Sequence, residues 1–217
     1  MDCPTFRDVV ERLAAAHDAA PRSTEPWEEI AMTILSQHTN DENRDRAWEA
    51  LRERAATPEA LLDIPPEDLE ELIAPAGLHT SKAEYLRNAA RYVVEERDGD
   101  LDWIREEPVA EVHEELTSIA GIGHKTADVI LLFAADADLC PVDTHVDRVT
   151  HRLGVATDMS TAATRDRLLA FRDDCGVDLR TAHVALIAHG RATCTARDPA
   201  CDDCTVADVC ERHGVED

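Results

Sequence analysis

The chain has 217 residues, 44% of them hydrophobic, and carries 46 acidic against 22 basic side chains, a formal net charge of −24. That length holds one large domain or two small ones with an ample core, and the apolar share is too high for a disordered acidic chain. No run of 18 apolar residues occurs, so no membrane span is expected, and Met1-Asp2-Cys3-Pro4-Thr5 lacks the basic-then-apolar order of a signal peptide. Only Lys82 and Lys125 are lysines; the other 20 basic residues are arginine. An acidic, lysine-poor folded chain fits adaptation to molar salt, where the Debye length is roughly 3 Å and dense surface charge repels weakly. Net charge is then a poor guide to partners, although −24 would ordinarily argue against DNA.

In chain order the pattern is helical nearly throughout. Phe6, Val9, Val10 and Leu13 share one helical face, as do Trp27, Ile30, Ala31, Ile34 and Leu35. Pro58, Pro65-Pro66 and Pro108 sit where helices should start. Leu86, Ala89, Ala90, Val93 and Val94 form another face, which Asp98-Gly99-Asp100 ends. Val129 to Ala135 is nearly all apolar, as in a helix buried all round. No strand alternation and no long linker interrupts this, so an all-α protein of some ten short helices is expected.

Between two of these helices lies Leu116-Thr117-Ser118-Ile119-Ala120-Gly121-Ile122-Gly123-His124-Lys125-Thr126-Ala127. A helix should end near Ile119 and another begin near His124. The two glycines let the backbone turn sharply and approach a ligand closely. The N–H groups opening the next helix can then hold a phosphate. A plain helix–helix turn is the simpler reading; the retention of Lys125 in a chain nearly free of lysine favours a helix–hairpin–helix. Further on, Pro141-Val142-Asp143-Thr144-His145 places Asp143 where a helix should start. It is expected to cap that helix, and the helix N-terminus favours its anionic form.

The chain closes on Cys194-x6-Cys201-x2-Cys204-x5-Cys210. Thiolates bind iron–sulfur clusters and structural zinc. Zinc knuckles usually bring two close pairs, and here only Cys201 and Cys204 are close. The reading is a [4Fe–4S] cluster, with zinc as the alternative. An odd total of seven cysteines with a thiolate cluster points to a reducing cytosol, with Cys3, Cys140 and Cys175 as free thiols. No ligand spacing links the ten histidines, so none is assigned to a metal.

The hairpin, the Val142-Asp143-Thr144-His145 segment eighteen residues after Lys125, His189-Gly190-Arg191 and the four-cysteine loop together resemble the endonuclease III family of DNA glycosylases, over about residues 25 to 210. The resemblance implies a six-helix barrel domain over residues 22–134 holding the hairpin. It implies a discontinuous iron–sulfur domain from 1–21 and 135–217, with the DNA in the cleft between. It further implies a bifunctional glycosylase and abasic-site lyase that removes oxidised pyrimidines from duplex DNA in base excision repair, monomeric and nucleoid-associated. A damaged nucleotide would be flipped out of the duplex. Lys125, partly desolvated at the positive end of a helix, would be the amine nucleophile, and Asp143 would stabilise positive charge on the sugar. Gln37 would fill the gap left by the flipped base and Leu78 would be an apolar wedge; otherwise they are a surface polar residue and a core leucine. Gly121, Ile122, Gly123, His124 and Arg191 would contact DNA, and Cys194, Cys201, Cys204 and Cys210 would hold the cluster.

The chain departs from the family pattern at Ala120, usually proline, and in Thr195 to Ala200, usually basic but here with one arginine and one aspartate. Two other readings compete. A monofunctional mismatch glycosylase shares the fold and cluster but typically lacks the lysine. A non-catalytic DNA-binding module using the hairpin alone leaves Lys125 and Asp143 unexplained.

Overall fold

The computed structural model describes residues 1–20, 24–156 and 160–215. Among these, twelve α-helices and no strand are found. They are α1 (Cys3–Ala16), α2 (Pro26–Ser36), α3 (Asp41–Arg54), α4 (Pro58–Leu62), α5 (Pro66–Leu72), α6 (His79–Arg91), α7 (Trp103–Glu106), α8 (Val109–Ser118), α9 (His124–Ala134), α10 (Thr144–Leu153), α11 (Thr161–Cys175) and α12 (Leu179–Ala192). No described helix is long and apolar enough to cross a membrane. The prolines read as helix starts do that work: Pro58 and Pro66 open α4 and α5, and Pro108 caps α8. A π turn, Tyr92–Glu96, extends α6 before Asp98 and Gly99 take positive φ and end it.

The chain divides into two compact units, one from Met1–Arg22 with Asp138–Asp217 and one from Ser23–Ala137. The central unit contains α2 to α9: six helices of seven residues or more, and two short ones. α2 is nearly all buried and packs on α3, α6 and α9, with Trp27, Ile30, Ile34 and Leu35 in the core. α9 is less enclosed than its sequence implies, since Val129 and Phe133 are half-buried. An ionic knot fixes the start of the hairpin region. Arg97 bonds Glu107 through Nη1 at 2.7 Å, donates to Glu115 on α8 and stacks over the Trp103 ring at 4.5 Å. Tyr92 Oη donates to the same Glu115 carboxylate at 2.9 Å.

The other unit joins both ends of the chain. Phe6 of α1 stacks on Phe171 of α11, ring centroids 4.5 Å apart. That contact brings the first residue of α1 beside the last of α11, and Cys3 and Cys175 form a disulfide, Cα atoms 5.9 Å apart. The expectation of free thiols at these two positions is therefore corrected: 172 residues of sequence separate partners that aromatic packing makes neighbours. Cys140 is buried and outside that bond. α12 packs on α10 and α1, and Gly190 lets α10 approach, because a Cβ there would lie 3.0 Å from His145 Cβ.

Burial pushes the Glu115 carboxyl up, but the bonds from Arg97 and Tyr92 outweigh it, and its pKa lies below the ordinary value. A carboxylate with a depressed folded pKa contributes stability above the unfolded value, about 4.3, and loses it as pH falls through the folded one. The stability difference between wild type and Glu115→Gln, measured by urea unfolding, should thus be largest above about pH 4.3 and shrink as the solution is acidified.

Candidate DNA-repair site

The hairpin is built as its glycines require. α8 ends at Ser118, Ile119 turns to extended backbone, and Ile122 N–H donates to Ile119 O at 3.0 Å. Gly121 has φ +105°, and a Cβ there would fall 2.2 Å from the Tyr85 ring of α6. The position thus excludes a side chain on two grounds, backbone angle and space. Gly123 is extended (φ −90°, ψ 173°) and caps α9, and no side chain covers it. Ile122 is buried and anchors the turn, whereas Gly123, His124 and Lys125 are exposed. The amides opening α9 are thereby offered outward, as an anion site needs. Behind the turn, His113 Nε2 of α8 lies 3.2 Å from Asp128 Oδ1 of α9, and His113 stacks on His124 at 5.4 Å.

Lys125 is the second residue of α9, on the exposed side of its first turn. It stands at the positive end of the α9 dipole. Gln37 and Leu78 belong to the same unit. Gln37 follows α2, is half-buried, and donates from Nε2 to Gly121 O at 3.1 Å, so it touches the hairpin itself. Asn88 Nδ2 supports the neighbouring carbonyl, Ala120 O, at 3.3 Å. Leu78 is no core residue: it is 59% exposed and held left-handed at φ 46°, directly after Gly77 at φ 68°. An exposed leucine in a conformation leucine disfavours is strained, and such strain gathers at ligand-handling loops.

Asp143 belongs to the other unit. It caps α10, accepting from His145 N–H and Val146 N–H at 2.8 Å each. His145, on the same helix, is half-buried, lying 3.1 Å through Nδ1 from Arg148 Nη2. Arg191 is exposed in the last turn of α12.

Cys194, Cys201, Cys204 and Cys210 line one pocket together with Val149, Arg152, Leu153, His189 and Val206. It encloses about 360 Å³ including its open mouth. Among the described residues, no three His, Cys, Asp or Glu side chains are grouped as a single metal ion would need. The donor set suits a thiolate-bound group on two observations. Arg152 Nη1 points at Cys194 Sγ from 3.3 Å, a charge-assisted contact for a thiolate. The same guanidinium holds the loop through Thr195 O at 2.7 Å and Ala196 O at 3.1 Å, and Arg148 Nε holds Cys194 O at 3.1 Å. Burial first, and the neighbouring thiols after it, raise the pKa of Cys204 and Cys210.

Sequence reading missed the residues that support these parts. Tyr85 and Asn88 back the hairpin from α6, and Arg148 and Arg152 splint the cysteine loop from α10. His189 is buried between His17 Nε2, 3.0 Å from its Nδ1, and Cys204 Sγ, 3.6 Å from its Nε2. Burial first, and then His17, pushes its pKa down to about 4. The one available signal was the i, i+4 spacing of Arg148 and Arg152, which sets both on one face of α10.

Known proteins place this geometry. The HhH-GPD superfamily of base excision DNA repair proteins matches residues 31–171. Endonuclease III of Haemophilus influenzae is 36% identical over 187 residues, 86% of this chain and 83% of that protein. Endonuclease III of Sulfolobus acidocaldarius is 37% identical, over 85% and 81%. The solved structure of a trapped endonuclease III–DNA covalent intermediate superposes with a TM-score of 0.78 at 26% identity, covering 98% of this chain and 97% of the other. With its helices, its hairpin and most of its length matched, the chain belongs to the endonuclease III family of helix–hairpin–helix base excision DNA repair proteins.

Proposed function

We propose that Lys125 is the nucleophile with which this chain, a DNA glycosylase and abasic-site lyase of base excision repair, removes oxidised pyrimidines from duplex DNA. The observation that carries the assignment is the exposed lysine in the first turn of α9, beside amides that face outward. The neutral amine attacks C1′ of a flipped nucleotide and the C1′–N bond breaks, the base leaving with a proton. Loss of the amine proton and ring opening give an imine. Removal of a C2′ proton then expels the 3′ phosphate by breaking C3′–O, and water releases the lysine. Asp143, oriented by two N–H donors, offers negative charge to the sugar as it becomes cationic, a role that is electrostatic first.

The amides of Gly121, Gly123 and His124 bind phosphate, with Ile122 anchoring the turn behind them, while Gln37 and Leu78 enter the duplex and Arg191 contacts the backbone. Cys194, Cys201, Cys204 and Cys210 hold a [4Fe–4S] cluster, which when bound cross-links the C-terminal loop to the end of α12. The hydrogen bonds that Arg148 and Arg152 give to that loop support this reading.

Borohydride added during turnover should trap a covalent protein–DNA adduct. Lys125→Gln should abolish trapping and strand scission, a loss of at least about 10²-fold, yet retain most DNA binding because the amides remain. Asparagine caps helices as well as aspartate does, so Asp143→Asn removes charge and leaves α10 intact. It should slow base release by about 10²-fold but still trap on a preformed abasic site. Base release by wild type without any adduct would establish the monofunctional mismatch reading instead. DNA binding with no base released from any lesion would establish the binding module.

Purified protein should contain four irons per chain by the proposed cluster stoichiometry, and Cys204→Ser should leave little soluble protein. Elemental analysis giving one zinc and no iron would replace the cluster with a zinc site.

A further inference from the structure

Lys82 is the other lysine of the chain, and it is 1% exposed. It lies in the first turns of α6, and its stem runs into the central unit. Nζ donates to Leu35 O and to Ala76 O, each at 2.8 Å. Leu35 is the penultimate residue of α2, where carbonyls run out of intrahelical partners. Ala76 is the last residue of the short 3₁₀ turn Ala74–Ala76. Each acceptor stands two residues before a residue proposed to enter DNA: Gln37 after Leu35, and Leu78 after Ala76.

We propose that Lys82 is a positioning residue for base extrusion: its ammonium ties the end of α2 to the end of the 3₁₀ turn, and so fixes the spacing between Gln37 and Leu78. The inference rests on the reading that those two residues enter the duplex. Two probing side chains act together only if their separation matches the gap and the step they fill. Gln37 directly follows α2 and Leu78 follows the 3₁₀ turn by one residue, in segments far apart along the chain, so neither segment alone sets that separation. A point cation with several donors, on a buried flexible stem, can satisfy two carbonyls from different segments at once. Burial pushes its pKa down to about 8, while the two carbonyls favour the ammonium. Arginine, used at 20 of 22 basic positions, is bulkier and planar, which accounts for lysine here.

The test compares wild type, Lys82→Met, Gln37→Ala and Leu78→Ala on two duplexes, one with a paired oxidised pyrimidine and one with a preformed abasic site. 2-Aminopurine beside the lesion reports extrusion. Lys82→Met keeps the volume of the stem and removes the cation. It should cut base release and the fluorescence rise by about tenfold or more, and leave trapping on the abasic duplex within about twofold. Added to Leu78→Ala it should cost little more, since both changes disable one device. Equal loss on both duplexes, or unchanged base release, would overturn the proposal. If Gln37→Ala and Leu78→Ala are themselves without effect, the underlying reading fails; if they impair release and Lys82→Met does not, only the present inference fails. Should Lys82→Met prove insoluble, Lys82→Gln, with a donor of shorter reach, carries the same comparison and the same outcomes.

Discussion

The central unit turns on a single absence of space. A side chain at Gly121 would enter the Tyr85 ring, and its φ of +105° would be strained for any other residue. Because the hairpin can press onto α6 this closely, Gln37 reaches one of its carbonyls and Asn88 the next. The turn is then rigid at its base and bare at its tip. Rigidity at the base matters for the proposed chemistry, since Lys125 follows Gly121 by only four residues. A nucleophile on a mobile loop would spend its binding free energy on ordering that loop; one on the first turn of a braced helix does not.

What could be read beforehand was whatever short-range chemistry dictates. Glycine pairs, helix-starting prolines, the capping aspartate and the cysteine spacing each act within a few residues of chain, so Gly121, Pro58, Asp143 and Cys201-x2-Cys204 announce their local roles. The hidden features join distant segments. Nothing local marks Lys82 as buried, because what it satisfies is a pair of carbonyls 47 and 6 residues away. The Cys3–Cys175 bond is hidden for the same reason. Leu78 could be read two ways, as an apolar wedge through the resemblance or as core from its apolar character, and its exposure on left-handed backbone after Gly77 removes the core reading.

The two lysines make a contrast within one composition. Twenty basic positions tolerate a guanidinium, and two retain an ammonium. One is exposed, and the role proposed for it needs a primary amine, since guanidinium cannot lose its proton in water near neutrality. The other is sealed in and is given a task that needs a small cation with reach. A composition biased this strongly thus acts as a filter: the exceptions identify positions where shape or acidity cannot be traded.

The unit that carries the cysteine loop is assembled from both ends of the chain. On the ribosome α1 emerges first, with Phe6, Val9, Val10 and Leu13 on one face and none of their partners yet made. The whole central segment, α2 to α9, can fold during the interval before α10 to α12 appear. At about 5–20 residues per second that wait lasts on the order of ten seconds. The apolar face of α1 is covered only when α11 and α12 have been made. A nascent chain arrested before Thr161 would therefore present a finished hairpin and a first helix whose partners, α11 and α12, have not yet been made.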